Sequence, residues 1–142
     1  MLIDANLLIY AIVDNSPHHV AAEAWLAATL NGERRAAICW QTIGAFLRIV
    51  THPRIVQPPL SSADATQYIE DWLATDTVWI PAEGWHTATL LSELIVRHHL
   101  TGDLIPDAQL AAVAMEHGLT VMSADSDFAR FPEITWRNPL VN

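Results

Sequence analysis

The stretch GDLIPDAQLAA, residues 102–112, sets two carboxylates, Asp103 and Asp107, four positions apart at the start of a run otherwise made for burial. At about 100° per residue, a helix over 106–117 has Gln109 and Glu116 on its polar side and Leu110, Ala111, Ala114 and Met115 opposite. Asp107 falls within the apolar side. A carboxylate there needs a hydrogen-bonding or cationic partner. The N–H groups of the first helical turn are one solution, since an acid at that end suits the helix dipole. A functional site is the other. Two more acids bear on the choice: Asp4 follows the apolar run MLI and Asp125 follows LTVMS, so each belongs at the carboxyl end of a strand. In open parallel sheets ligands bind at that edge, and Asp107, opening the helix that feeds the Asp125 strand, faces it too. Asp103 and Asp127 lie close enough to join, although Asp127 serves equally well as a cap for the turn in SADSDFARF. Converging carboxylates raise one another's pKa unless a cation sits among them. The chemistry is that of a hard divalent metal with oxygen ligands, Mg2+ or Mn2+.

Strands alternate with helices along the chain. MLID, AAICW, VWIP and LTVMSA read as short buried strands, with a last one near ITW. Between them, ANLLIYAIV, SPHHVAAEAWLAATLNG, QTIGAFLRIVTH up to Pro53, SSADATQYIEDWLAT with a Ser N-cap, and EGWHTATLLSELIVRHH read as helices. The helix from about Pro106 to His117 follows them and ends at Gly118. This alternation predicts an α/β domain of three layers, α/β/α, around a mostly parallel central sheet. The length of 142 residues suits a single domain over 1–142.

Composition narrows the function classes. No apolar run reaches the roughly 18 residues of a membrane span, and the N-terminal segment carries Asp4 without a basic leader, so a cytoplasmic protein is expected. Cys39 is the only cysteine, which excludes an internal disulfide and points to a buried thiol. All seven basic residues are arginine, which excludes any lysine-dependent mechanism and counts against phosphatase and receiver domains, which pair a strand-end Asp with a lysine. The histidines in PHHV and RHHL are adjacent and point to different sides of a helix, so they make no natural metal pair. At a net charge of −9, a polyanion would be repelled at long range and would need a local basic patch, a metal or a dimer groove. The densest basic cluster is Arg48, His52 and Arg54, readable as solvated surface charge or as phosphate contacts.

MLIDANLLIYA together with GDLIPDAQLAAVAMEHGLTVMSADSDFARFP, with FLRIVTHPRI between them and NPL at the close, resembles the PIN domain family, in particular its VapC-like ribonuclease toxins. The resemblance runs over essentially the whole chain. It implies that Asp4, Asp107 and Asp125 are metal-binding catalytic acids, that Asn6 and Ser123 are polar residues beside them, and that Asp103 and Asp127 are auxiliary acids. It further implies Mg2+-dependent hydrolysis of RNA, with Mn2+ able to substitute; by their charge and rough location alone, Arg48, Arg54 or Arg130 are the candidates for contacting RNA phosphates. A homodimer and a cognate VapB-like antitoxin, laying a peptide with an arginine over the acidic site, complete the expectation. Trp25, Trp72 and Trp85 are expected in the core, with a dimer or antitoxin surface as the other reading. One position departs from the family pattern. Where members commonly carry a glutamate before FLR, this chain has Ala45, and one ligand lost from four weakens metal binding. The alternative function is therefore a catalytically impaired PIN domain that binds antitoxin or RNA only.

Overall fold

In the computed structural model, which describes residues 1–141, five strands form one sheet in the order β3-β2-β1-β4-β5, every neighbouring pair parallel. Asn142, the last residue of the expected domain, lies outside the described residues. The strands are β1 (Leu2–Ile3), β2 (Ala36–Ala37), β3 (Val78–Trp79), β4 (Val121–Met122) and β5 (Trp136–Arg137). Around them lie α1 (Ala5–Ile12), α2 (His19–Leu30), α3 (Trp40–Val50), α4 (Ser62–Leu73), α5 (Trp85–His98) and α6 (Ile105–His117). The three-layer expectation holds, and the sheet is parallel throughout. The strand runs read from the sequence shrink to two paired residues each, because the flanking residues bend away into helices and loops.

Alternation along each strand divides the core. Ile3, Ala36, Val78 and Met122 pack on the side of α1, α2, α3 and α4. Leu2, Ala37, Trp79, Val121 and Trp136 pack on the side of α5 and α6. This is the period of two that strand geometry imposes, used to serve two cores at once. Phe46 on α3 is fully buried, its ring 4.9 Å from that of Trp72 in an edge contact. Cys39 is buried as expected, and burial pushes its thiol pKa up. Trp72 lies in the core and Trp25 packs at its margin, but Trp85, expected inside, is 91% exposed as the first residue of α5. Its position at a helix start, before the helix meets the sheet, takes it out of the core.

Helix ends follow local chemistry. Ser61 caps α4, its hydroxyl accepting from the Asp64 N–H at 3.0 Å. Gly118 ends α6 with φ of 63°, a left-handed conformation that glycine adopts without penalty. The Ser16–Pro17 opening expected for α2 lies outside it. The helix begins at His19, and the Ser16 hydroxyl instead accepts from the His18 N–H in a preceding turn.

The strand order determines where a site can form. The chain steps outward from β1 to β2 and β3, then returns to lay β4 on the other side of β1. The β1–β4 boundary is therefore the switch point, and a crevice opens beyond the carboxyl ends of those two strands. Phe46→Ala is expected to cost about 3–5 kcal/mol, read from urea unfolding; a loss below about 1 kcal/mol would show that this core is not packed as described.

Candidate metal centre

Asp4 leaves the end of β1 and Asp125 follows β4 by three residues, so both reach the crevice at the switch point. Asp107 arrives from the first turn of α6. That helix is buried on nearly all sides, Ala108 and residues 110–114 being inaccessible, which sets its start firmly against the sheet edge. No side chain caps it, and Asp107 accepts no hydrogen bond among the described residues. Asp107 keeps the favourable place of an acid in the first turn of a helix but makes no capping hydrogen bond. Gln41, in the first turn of α3, donates from Nε2 to the Pro106 carbonyl at 2.7 Å and ties the two helix starts together.

Ser123 is the hub of the site. It is fully buried. Its hydroxyl donates to Asp4 Oδ2 at 2.6 Å and accepts from Asn6 Nδ2 at 2.9 Å and from the Asp125 N–H at 3.0 Å. Asn6 Nδ2 also donates to Asp4 Oδ2 at 2.9 Å, while Asn6 Oδ1 accepts from the Ala124 N–H at 3.3 Å. Both side-chain donors to Asp4 fall on one oxygen, and the Ala5 and Asn6 backbone N–H groups also favour its charged form, so the carboxylate is aimed from the start of α1. Asp125 Oδ1 accepts from the Asp127 N–H at 2.8 Å and caps the short 3-10 turn Ser126–Arg130. The cap of that turn is therefore Asp125, and Asp127 is free to turn elsewhere.

One oxygen from each of Asp107, Asp125 and Asp127 lies within 4.8 Å of the other two. Sequence reasoning placed Asp127 as an auxiliary acid; the structure makes it a full member of the tight group and sets Asp4 beside it in its own hydrogen-bonded seat. Burial pushes the Asp107 pKa up to about 6, the charges of Asp125, Asp4 and Asp127 add to the rise, and Arg130 partly offsets it. Burial likewise raises Asp4, against the Ser123 bond, with Asp125 adding. Asp103 is exposed in the 3-10 turn Gly102–Leu104 before α6 and stands outside the group. Arg130, considered for RNA, is engaged: its guanidinium donates to Asp127 Oδ1 at 2.8 Å and to the Asp127 carbonyl at 3.0 Å. Arg48 and Arg54 are exposed, but Arg48 lies eight residues into α3, about 12 Å along the axis from its start, and Arg54 lies beyond the helix. Ala45 sits in the second turn of α3, and its methyl offers no ligand.

The residues present suit a hard cation. All the donors are carboxylate oxygens, with no thiolate or imidazole among them, the set that Mg2+ and Mn2+ take. Their mutual repulsion is what such a charge would relieve.

Known proteins resemble this chain in sequence and in fold. The model of the family described as PIN domain matches residues 1–134. Ribonuclease VapC33 of Mycobacterium tuberculosis is 36% identical over 137 residues, which cover 96% of each chain. Among solved structures, Mycobacterium tuberculosis VapC20, described as a Sarcin-Ricin loop cleaving toxin, superposes with a TM-score of 0.69 at 15% identity, covering 94% of this chain and 98% of that one. DNA-bound VapBC from Salmonella typhimurium superposes with a TM-score of 0.66 at 20% identity, covering 97% and 96%. At those identities the superpositions establish the fold.

Without metal, the crowded acids make stability depend on pH. Below about pH 4 Asp107 is protonated in both folded and unfolded chains; between its ordinary 3.8 and about 6 the unfolded chain ionises first, so native stability falls as pH rises. Asp107→Asn removes this penalty. The carboxyl is partly solvated, so we expect a discounted gain of about 1 kcal/mol, or about 2–4 °C in Tm, above pH 6 and almost none near pH 4. Thermal melts in EDTA that run parallel for variant and wild type from pH 4 to 7 would contradict the crowding.

Proposed function

This chain belongs to the PIN domain family, and from that premise we propose that it is the metal-dependent endoribonuclease toxin of a type II toxin–antitoxin pair, one PIN-like domain over 1–142. The observation that carries the reading is the meeting of Asp107, Asp125 and Asp127, with Asp4 held beside them, at the switch point of a parallel sheet.

In this reading Asp4, Asp107 and Asp125 hold the ion, Mg2+ or Mn2+, and Asp127 joins them. When bound, the ion supplies an acidified water and positive charge against the scissile phosphate. The rest falls to the chain. Ser123 and Asn6 fix the orientation of Asp4, the Asp127 N–H in the turn at Ser126–Arg130 fixes the Asp125 carboxylate, and Arg130 restrains Asp127. Such preorganisation spares the site a reorganisation cost when the phosphodiester arrives. No covalent nucleophile is required.

The name VapBC borne by the Salmonella complex supports a VapB-like antitoxin as partner. An arginine from the antitoxin would match unmetallated carboxylates in charge and in planar geometry. A homodimer and a cytoplasmic location belong to the same reading; no helix among the described residues is long and apolar enough to cross a membrane. Ala45 favours a second reading, an impaired domain that binds without cutting, because α3 offers no carboxylate at that position.

The test is cleavage of a cellular RNA pool by purified protein with Mg2+ or Mn2+, against EDTA and Asp107→Asn. We expect metal-dependent cutting that falls by about a hundredfold or more in the variant, beyond the range for supporting groups. A folded protein that cuts nothing with either metal, while Ala45→Glu cuts, would establish the second reading. Equal cutting by wild type and Ala45→Glu would show that the remaining acids suffice.

A further inference from the structure

Trp40 is a large apolar side chain that the fold leaves out: it is 64% exposed and takes part in neither core. It opens α3 at the carboxyl edge of the sheet, three residues after β2. Two hydrogen bonds hold that first turn of α3 against the acidic centre. Thr42 Oγ1 donates at 3.1 Å to the carbonyl of Ile3, the residue before Asp4, and Gln41 Nε2 donates at 2.7 Å to the carbonyl of Pro106, the residue before Asp107. Trp40 and the acids therefore share one edge of the sheet.

An exposed ridge of α3 continues from Trp40. At about 100° per residue, Trp40, Gly44 and Arg48 follow one another in a single i, i+4 row, and all three are exposed, while Ile43, Phe46 and Val50 on the other side are buried. A glycine inside a helix costs stability relative to alanine. No packing requires one here, since a Cβ at Gly44 would meet nothing within 4 Å. Bare backbone one turn from an exposed indole leaves room for another chain to come close. Arg48 follows about 12 Å along the axis from Trp40 and has no carboxylate within 4.0 Å among the described residues.

Each member of the row suits one part of a nucleic acid strand. An indole face stacks on any base, and stacking needs no positive charge, which fits a chain with a net charge of −9. A guanidinium suits a phosphate. From this juxtaposition we infer that the ridge of Trp40, Gly44 and Arg48 seats the single strand of RNA beside its cleavage site. A base stacks on Trp40, the backbone passes over Gly44, and a phosphate meets Arg48. That the strand is RNA rests on the ribonuclease reading. Trp85, also exposed, is a control in the same chain. It opens α5, whose Thr87 hydroxyl donates to Glu116, nine residues along α6 from Asp107 and so about 13 Å from it along the axis.

The test is fluorescence anisotropy in EDTA with two end-labelled strands of equal length, an oligoadenylate RNA and its abasic ribose-phosphate counterpart. Trp40→Ala should weaken oligoadenylate binding about tenfold or more. Trp40→Phe should restore most of it, Trp85→Ala should leave it unchanged, and the abasic strand should bind wild type no better than Trp40→Ala. Gly44→Leu should melt no lower than wild type yet bind oligoadenylate more weakly, a combination that a folding defect does not produce. Arg48→Gln should reduce the slope of log affinity against log salt by about 0.7, while Trp40→Ala keeps the wild-type slope. A Trp40→Ala variant with wild-type affinity overturns the seat, as does one whose mass by sedimentation falls below that of wild type, because Trp40 would then hold two copies together. Cleavage of an RNA pool with Mg2+ or Mn2+ separates the two readings. If wild type cuts and Trp40→Ala keeps its half-saturating RNA concentration, the seat falls and the nuclease stands. If wild type binds through Trp40 and cuts nothing with either metal, the seat stands and the nuclease falls; a wild type that neither binds nor cuts overturns both.

Discussion

Four carboxylates that repel one another are held at a single strand edge, and the rest of the structure is arranged to withstand that repulsion. Ser123 makes the arrangement tolerable. Its buried hydroxyl joins β4 to the Asp4 carboxylate and accepts from the Asn6 amide and the Asp125 N–H, so residues 117 positions apart are locked into one network. The network lowers the cost of keeping Asp4 charged, yet burial still raises its pKa, and Asp107, without such donors, rises further. Stability is spent at this edge and recovered in the two cores on either face of the sheet. A site that is unfavourable alone and favourable with a cation is a natural receptor for one.

The same sheet gives the molecule an electrical polarity. The carboxyl ends of β1 and β4 gather the acids, while the approaches to β2 and β4 and the end of β5 gather arginines that have no carboxylate partner among the described residues. The acids stand at the carboxyl edge of the sheet, and Arg34 and Arg35 at the opposite edge, where the strands start.

Much of this was legible from the residues. An Asp directly after an apolar run belongs at a strand end in a parallel sheet, and Asp107 on the apolar side of its helix demanded an explanation that a capping hydrogen bond does not supply. Helix ends marked by Ser61 and Gly118 were equally readable, since their chemistry is local. What the sequence concealed depends on tertiary geometry. Whether Asp125 or Asp127 would cap the turn rested on a single backbone direction after β4, and the outcome decided which acid joined the tight group. Arg34 and Arg137 stand about a hundred positions apart, so only the strand order brings them to one groove. Arg130 looked available for RNA by its charge and rough location, and only the folded turn shows it paired with Asp127. Trp85 is apolar by composition but opens a helix at the rim, where type gives no guide to burial.

The most direct measurement is an anomalous difference map from crystals of the protein grown or soaked with Mn2+. The account predicts a peak among the carboxylates of Asp107, Asp125 and Asp127, within reach of the Asp4 carboxylate, and its loss in Asp107→Asn crystals of the same form. Saturating Mn2+ with no peak at that edge, in crystals where the four carboxylates stand as described, would contradict the claim that this centre is built to hold a metal.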